Sequence, residues 1–148
     1  MTVSALRSVI LPDELAALAL STNADQPPLL AVSLWSQALS IISPSTLETL
    51  STSSPTSTLA RSLLFASLGA KESRQLLVGL GDGTVVIQEL SADGHSSGER
   101  RSIGLGTTEV QLKEVEGGSV FASCDRPSVL HGDQGRLGYS SVNLKVRR

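Results

Sequence analysis

The sequence predicts an all-β fold built from short strands in repeated groups of four. Three observations support this fold class: short apolar runs separated by turn residues, an Asp-Gly turn between two β-rich runs, and a recurring spacing of turns. An apolar run enters a turn at Trp35, at Asp82 and at Asp125, at intervals of 47 and 43 residues. A period of roughly 40–50 residues with about four strands in each is typical of β-propeller blades. A β-sandwich or another all-β fold is the alternative.

The predicted strands are short runs rich in leucine, valine and isoleucine, because aromatic residues make up only 3% of the chain. Gly81-Asp82-Gly83 separates two of these runs, and Asp-Gly in such a place is a strong hairpin signal. The next run contains Val85-Val86-Ile87, whose β-branched side chains favour a pleated sheet. The predicted strands cover residues 29–35, 37–42, 62–68, 75–80, 84–90, 110–115, 119–123, 128–131 and 137–142.

Three further segments complete the assignment. Pro12 and the acidic residues after it are typical of a helix start over residues 12–20. The repeat favours a strand over 16–21 instead, and we predict the strand. Residues 51–58 consist of serine, threonine and one proline, so they predict a flexible loop, with phosphorylation around Ser54-Pro55 as the functional alternative. Residues 91–98 predict a second polar loop.

Composition excludes several function classes. The net charge is −2, and the closest basic pairs, Arg100-Arg101 and Arg147-Arg148, form no concentrated basic face. We therefore expect no direct nucleic-acid binding by this segment. The single cysteine, Cys124, excludes an internal disulfide framework and a zinc cluster built on cysteine. The N-terminal run is a poor signal peptide, and no apolar stretch is long enough to span a bilayer, so we expect a soluble, intracellular chain without membrane contact.

The glycine-rich segment 79–83 resembles a phosphate-binding loop only superficially. The dinucleotide pattern requires a third glycine where this chain has Thr84, and no lysine follows as in a Walker loop. A β-branched strand follows instead of a helix, so no helix N-terminus is present to bind a phosphate. The segment is better interpreted as a hairpin turn.

The two histidines give a weak catalytic hypothesis. A small hydrolase or a metal-dependent enzyme would require His131, Asp125 and Asp133 to converge. His95 and His131 both lie in polar, glycine-containing segments, which favours loop positions without a catalytic role. Cys124 is predicted to be a small buried strand residue. We therefore predict no enzymatic activity, no metal and no cofactor.

The segment Asp125-Arg126-Pro127 predicts a tight turn. Proline disfavours a helical conformation for Arg126, and the Asp125 carboxylate can accept backbone hydrogen bonds within a turn. The functional alternative is an exposed arginine presented to a partner. The predicted structural turn residues are therefore Gly81, Asp82, Gly83, Asp125, Arg126 and Pro127. Partner-contacting residues are not identified by the sequence.

Five segments of the chain carry a family resemblance. They are Leu34-Trp35, the hairpin segment 77–83, Leu105-Gly106-Thr107, the Asp-Arg-Pro segment 120–129, and Ser141-Val142-Asn143-Leu144-Lys145. Their order and spacing resemble the large subunit of the UV-damaged DNA-binding complex, the damage-specific DNA-binding protein 1 family. This family is related to the large subunit of the cleavage/polyadenylation factor. The chain differs in having Val85-Val86-Ile87 where the family is more aromatic, and in the order of Ser123-Cys124.

The resemblance implies an architecture of three seven-bladed, WD40-like propellers and a helical C-terminal domain. Residues 1–148 would correspond to the later blades of the middle propeller. The chain would then be about three blades of an incomplete ring, either a piece of a longer protein or a truncated gene product. In the family the middle propeller docks a cullin scaffold, while the other two hold substrate receptors.

The function implied by the resemblance is that of a non-catalytic adaptor in a cullin-RING ubiquitin ligase. Such a ligase acts in DNA repair after DNA damage, so the expected location is the nucleus, with the cytoplasm as a second location. The alternative function is a scaffold of pre-mRNA splicing or 3′-end cleavage. Whatever its branch of the family, we expect the chain alone to be unstable or prone to association, because an open arc of blades exposes apolar faces.

Overall fold

A computed structural model describes residues 8, 10–21, 26–53, 58–68, 74–91, 95–115, 118–133 and 136–142. These residues form twelve strands in three four-stranded antiparallel sheets, and none of them is helical. The first sheet contains β1 (Leu15–Ser21), β2 (Leu29–Leu34), β3 (Leu39–Ile42) and β4 (Thr49–Ser53). The second contains β5 (Ala60–Ala66), β6 (Arg74–Leu80), β7 (Thr84–Leu90) and β8 (Ser96–Gly104). The third contains β9 (Gln111–Val115), β10 (Ser119–Ser123), β11 (Ser128–Asp133) and β12 (Arg136–Ser141).

In each sheet the strands lie side by side in sequence order, so each sheet is a simple antiparallel meander. The sheets contact one another mainly through their first strands. β5 packs on β1 and β2, and β9 packs on β5 and β6. The first strands therefore lie next to each other, and the sheets follow one another as blades do around a propeller axis. The predicted all-β, partial β-propeller of three four-stranded blades is confirmed.

The second sheet is the centre of the core because both of its faces are covered. Every residue of β6 is buried, with Leu76 and Val78 packed toward the first sheet and Leu77 toward the third. This two-sided burial explains why the part of β6 that begins at Leu76 is an apolar run rather than an alternating pattern. Full burial of a leucine side chain contributes roughly 1.5–3 kcal/mol. The sequence of β6 is thus matched to a position between two other sheets.

The ambiguous N-terminal segment is a strand, as predicted. β1 pairs with β2 in an antiparallel ladder that includes Ala19↔Ala31. The small side chains Ala17 and Ala19 pack against the core between the first and second sheets. Helix propensity is overridden here because pairing with β2 satisfies the backbone and places these alanines in the core.

Two strands, β4 and β8, are absent from the strands that the sequence predicts. The prediction of a loop is wrong for Ser51–Ser53, which belong to β4 and pair with β3, for example through Ser40↔Thr52. Residues 54–57 of that predicted loop lie outside the described residues. The second predicted loop is likewise wrong for residues 96–98, which begin β8, whereas 92–94 lie outside the described part.

Candidate functional site: the turn end of the sheets

The three turns that define the sequence repeat lie at equivalent positions, each joining the second strand of a sheet to the third. Trp35 lies in the β2–β3 turn, Asp82 in the β6–β7 turn and Asp125 in the β10–β11 turn. In each of the first two turns, a backbone N–H donates to the carbonyl of the residue that precedes the first strand of the same sheet. The Trp35 N–H donates to the Glu14 carbonyl at 2.9 Å, and the Gly81 N–H donates to the Leu59 carbonyl at 3.1 Å.

The β6–β7 turn is held by backbone conformation. Gly83 has a φ of 90°, a left-handed conformation that L side chains rarely adopt. The Thr84 N–H donates to Asp82 Oδ1 at 3.1 Å, which closes a small Asx turn. The Gly83 carbonyl accepts hydrogen bonds from the N–H groups of Leu105 at 2.9 Å and Gly106 at 3.2 Å. The turn of the second sheet therefore holds the start of the connection from β8 to β9.

The β10–β11 turn holds the same connection from the other side through a carboxylate. Asp125 Oδ1 accepts hydrogen bonds from the N–H groups of Thr107 at 2.8 Å and Thr108 at 3.2 Å. Both threonine hydroxyls also donate to this carboxylate, and the Asp125 N–H donates to Thr108 Oγ1 at 2.9 Å. We call this arrangement of Gly83, residues 105–108 and Asp125 the crossover clasp.

The crossover clasp explains the electrostatics of Asp125. The Thr107 N–H is the largest cause, followed by the Thr107 hydroxyl, of a pKa for the Asp125 carboxyl far below its usual range. These donors stabilise the ionised carboxylate, because hydrogen bonds to the charged form favour it. The carboxylate therefore acts as a structural acceptor. It is already engaged by four donors and is poorly suited to act as a general base.

Arg126 and Pro127 complete this turn. The Arg126 carbonyl accepts hydrogen bonds from Cys124 Sγ at 3.2 Å and from Ser128 Oγ at 3.3 Å. The Arg126 side chain is exposed, while Cys124 is half-buried beside the core between the second and third sheets. The predicted strand position of Cys124 is wrong, because β10 ends at Ser123. A partner contact by Arg126 stays a prediction.

The catalytic hypothesis required Asp125, His131 and Asp133 to converge, and the backbone separates them. Asp125 precedes β11 and Asp133 ends it, so the length of the strand, roughly 17 Å at about 3.3 Å per residue, lies between them. The His131 ring lies near Ser140, with Nε2 at 3.4 Å from its hydroxyl. Among the described residues no group of three histidine, cysteine, aspartate or glutamate side chains could hold a metal ion. His95 is exposed, and Asp93 lies outside the described residues.

The opposite end of the sheets carries a buried arginine that sequence reasoning missed. Arg74 begins β6 and is only 3% exposed, and burial lowers the pKa of its guanidinium. Its Nη1 donates to the Pro27 carbonyl at 2.7 Å and to Ser21 Oγ at 3.4 Å, so it links the second sheet to the first. Arg74 lines a cavity of about 360 Å³ at the ends of β1, β5 and β9. The sequence signal was a charged residue two positions before the apolar run that begins at Leu76.

The surface also exposes one tryptophan. Trp35, the only tryptophan of the chain, is 53% exposed in the β2–β3 turn. Large aromatic side chains are usually buried, so exposure in a turn leaves their apolar surface available for contact. In the described part of the chain we find no helix that is long and apolar enough to cross a membrane.

Comparison with known proteins agrees with this architecture. Residues 2–148 match the family model described as the RSE1/DDB1/CPSF1 second beta-propeller. The chain is similar to DNA damage-binding protein 1 of Caenorhabditis elegans, with 29% identity over 143 residues, which cover 90% of this chain and 12% of that protein. It is also similar to DNA damage-binding protein 1b of Arabidopsis thaliana (37% identity) and DNA damage-binding protein 1 of Oryza sativa subsp. japonica (38%). Each of these two alignments spans 73 residues, covering 47% of this chain and 7% of the relative.

Proposed function

Because the chain belongs to the family of the second β-propeller of RSE1, DDB1 and CPSF1, we propose that it serves as a non-catalytic scaffold for protein–protein interaction. The end of the sheets that carries the β2–β3, β6–β7 and β10–β11 turns supports this proposal. Its polar groups are used to fix the turns, as the Asp125 carboxylate shows, and its side chains Trp35 and Arg126 are exposed. An interaction scaffold needs such rigidly held, exposed side chains, whereas an enzyme needs convergent reactive groups.

The exposure of Trp35 is the observation that supports the proposal most strongly. Binding energy at protein interfaces is concentrated in a few residues, among which tryptophan, tyrosine and arginine are enriched. Trp35 is half-exposed, and its backbone is fixed by the hydrogen bond to Glu14. A backbone that is already held in place loses little further conformational entropy when its side chain becomes buried in a partner. We therefore assign Trp35 to the centre of a protein-docking surface.

The finer proposal is an adaptor segment of a cullin-RING ubiquitin ligase that acts in DNA repair in the nucleus. It is supported by the names of the relatives, which are DNA damage-binding proteins, and by the Asp-Arg-Pro and Asn-Leu-Lys segments. A scaffold of pre-mRNA splicing or 3′-end cleavage is the second candidate, because the matching family model also includes RSE1 and CPSF1. The matched part of the chain covers only 7% to 12% of the length of these relatives.

Binding to a purified cullin N-terminal domain, measured by biolayer interferometry, tests the finer proposal. We expect saturable binding that Trp35→Ala weakens by at least about tenfold, as for an interface hot spot. Tyr139→Ala is the matched control, because Tyr139 is an aromatic residue of similar exposure (54%) on the distant strand β12. Absence of cullin binding would contradict the ligase proposal. Equal binding by wild type and Trp35→Ala would show that Trp35 does not belong to the docking surface.

Direct binding to damaged DNA is not part of the proposed function. The chain has a net charge of −2, and affinity for DNA comes largely from lysine and arginine contacts with phosphates. We expect no saturable change in fluorescence anisotropy when the chain is titrated into a UV-irradiated duplex at physiological salt. Salt-sensitive binding to that duplex would assign the DNA-binding role to this segment instead.

A further inference from the structure

The second and third sheets leave a cleft between their outermost strands. The two sheets pack through β5, β6 and β9, so they are closest near their first strands. β8 and β12 are the fourth strands of these sheets and lie furthest from that contact. Arg101 of β8 and Tyr139 of β12 are both exposed, so solvent reaches this region. Because β8 and β12 form the two walls, the cleft lies within the described part of the chain.

The β8 wall presents a cation next to an apolar side chain. Arg101 pairs with Ile87 and Ile103 pairs with Val85, and side chains that pair across a ladder lie on the same face of the sheet. Val85 and Ile87 belong to the core between the second and third sheets. Arg101 and Ile103 therefore face the third sheet. Arg101 is exposed, and Ile103 is half-buried against that core.

The β12 wall presents an aromatic ring. Tyr139 pairs with Leu130, which is buried in the core between the second and third sheets. Tyr139 therefore faces the second sheet, and 54% of its surface is exposed. Ser141 follows two residues later on the same face and is also exposed. The cleft thus combines a guanidinium, an aliphatic side chain, an aromatic ring and a hydroxyl.

The charge of the cleft favours an acidic partner. No ion pair between described residues involves Arg101. The neighbouring Arg100 lies on the opposite face of β8, and its Nε donates to Gln88 Oε1 at 3.4 Å. A guanidinium binds a carboxylate through charge-assisted hydrogen bonds, and arginine and tyrosine are among the residues enriched at binding hot spots. Arg101 and Tyr139 on opposite walls therefore suit a segment that carries both carboxylate and apolar side chains.

We propose that the cleft between β8 and β12 binds an extended, acidic segment of a partner protein. A carboxylate of the segment pairs with Arg101, and an apolar side chain beside it packs on Ile103 and Tyr139. Facing sheets pack only about 10 Å apart, so the space between them admits an extended segment rather than a folded domain. This second binding site lies on the second and third sheets, away from Trp35 on the first, and does not depend on cullin binding.

Fluorescence anisotropy with a labelled peptide of about ten residues, in which glutamate and valine alternate, tests the proposal. We expect saturable binding that Arg101→Glu weakens by at least about tenfold, because like charges then meet in the cleft. Arg100→Glu is the matched control, since it makes the same change of charge on the opposite face and should change the affinity by less than about twofold. A peptide with glutamine in place of glutamate should bind wild type as weakly as the acidic peptide binds Arg101→Glu.

Tyr139→Ala separates the cleft from the surface around Trp35. It should weaken binding of the acidic peptide by at least about fivefold and leave cullin binding unchanged, whereas Trp35→Ala should do the reverse. Far-UV circular dichroism checks that each variant keeps its strand content.

Hydrogen exchange locates the bound peptide. The peptide should slow amide exchange in β8 and β12 but not in β4, the outermost strand of the first sheet. Absence of saturable binding, equal losses for Arg100→Glu and Arg101→Glu, or equal protection of β4 would each overturn the proposal. Absence of cullin binding alone would contradict only the ligase proposal.

Discussion

The β6–β7 and β10–β11 turns hold the same connection between sheets, but they do so with different chemistry. The β6–β7 turn uses the backbone carbonyl of Gly83, a residue in the left-handed conformation. The β10–β11 turn uses the Asp125 side chain, which accepts hydrogen bonds from two backbone N–H groups and two hydroxyls. One turn therefore depends on a conformation that few residues can adopt, and the other on a functional group that few residues possess.

The two turns should therefore differ in which substitutions destabilise them. A side chain at position 83 would require a strained φ, and its Cβ would overlap the carbonyl of Gly106. A change at position 125 leaves the backbone conformation allowed but removes the acceptors of the crossover clasp. Steric overlap with backbone atoms cannot relax without moving the strands, whereas exposed donors that lose a protein acceptor can bind water. We therefore expect the first turn to be the more sensitive of the two.

Gly83→Val should have the largest effect. Left-handed strain costs about 1–3 kcal/mol for a residue other than glycine, and overlap with Gly106 adds to it, so we expect a loss of more than about 3 kcal/mol in the free energy of unfolding. Chemical denaturation with linear extrapolation measures this loss. Gly81→Ala is the control, because the nearest atom to its Cβ would be 3.7 Å away and its stability should be nearly unchanged. An unchanged midpoint for Gly83→Val would show that the turn can adopt another conformation.

Asp125→Ala should lower the melting temperature, by less than Gly83→Val, because Thr107 and Thr108 lose their acceptor. Asp125→Asn should recover part of the loss, since its amide oxygen keeps some acceptor capacity. Differential scanning calorimetry of the three proteins ranks them. If Asp125→Ala melts at the same temperature as wild type, the carboxylate does not stabilise the crossover clasp.

The Asp125 effect should also depend on pH, in a direction set by its lowered pKa. Hydrogen bonds from Thr107 keep the carboxylate ionised in the folded protein below the ordinary pKa of 3.8. Its stabilising contribution is therefore fully present above that value and is lost as the pH falls through the folded pKa. The difference in melting temperature between wild type and Asp125→Asn should be constant near neutrality and shrink in acid. A difference that grew in acid would contradict the assignment.

Asp82→Ala tests how much the Asp82 side chain stabilises the β6–β7 turn, which depends mainly on the conformation of Gly83. It removes one exposed hydrogen bond, from the Thr84 N–H, so we expect a loss of less than about 1 kcal/mol. Denaturation beside Asp125→Ala makes the comparison direct. A larger loss for Asp82→Ala than for Asp125→Ala would reverse the division of roles between the two turns.

Arg61→Ala should have the smallest effect. Arg61 Nε and Glu109 Oε2 are 2.7 Å apart and link β5 to the β8–β9 connection, but both side chains are exposed by more than 40%. Exposed ion pairs contribute about 0–1 kcal/mol and are screened by salt. Wild type and Arg61→Ala should therefore converge at high salt. A loss that persists there would indicate that the alkyl part of Arg61 packs on its neighbours.

Sequence reasoning recovered the strands that carry their own apolar pattern. β6 and β7 were predicted closely, because a run such as Leu76-Leu77-Val78 must be covered on both sides wherever it lies. β4 and β8 were missed because their sequences, rich in serine, threonine and charged residues, lack an apolar face. Each lies at the edge of its sheet, and its strand conformation comes from the ladder with β3 or β7. Pairing with a neighbour is a tertiary property that local pattern does not encode.

The residues of the candidate site likewise fall into those that the sequence identifies and those that depend on tertiary contacts. Gly81, Asp82 and Gly83 could be identified as a turn, because glycine preferences are local. The role of Asp125 as an acceptor for Thr107 and Thr108 could not be identified, because these residues lie 18 and 17 positions before it and the contact forms only when the third sheet packs on the second. Arg74 was missed for the same reason. Its partners Ser21 and Pro27 belong to the first sheet or to the segment before β2.

The strand-rich character of the chain, the spacing of its turns and the left-handed conformation of Gly83 follow from residue types that can be identified in the sequence. Which leucines are buried depends instead on how the sheets pack. Leu18 and Leu63 occupy matching positions in matching ladders, yet one is exposed and the other is in the core. Burial of an apolar side chain requires a second surface, and the presence of a neighbouring sheet depends on packing rather than on the strand's own residues.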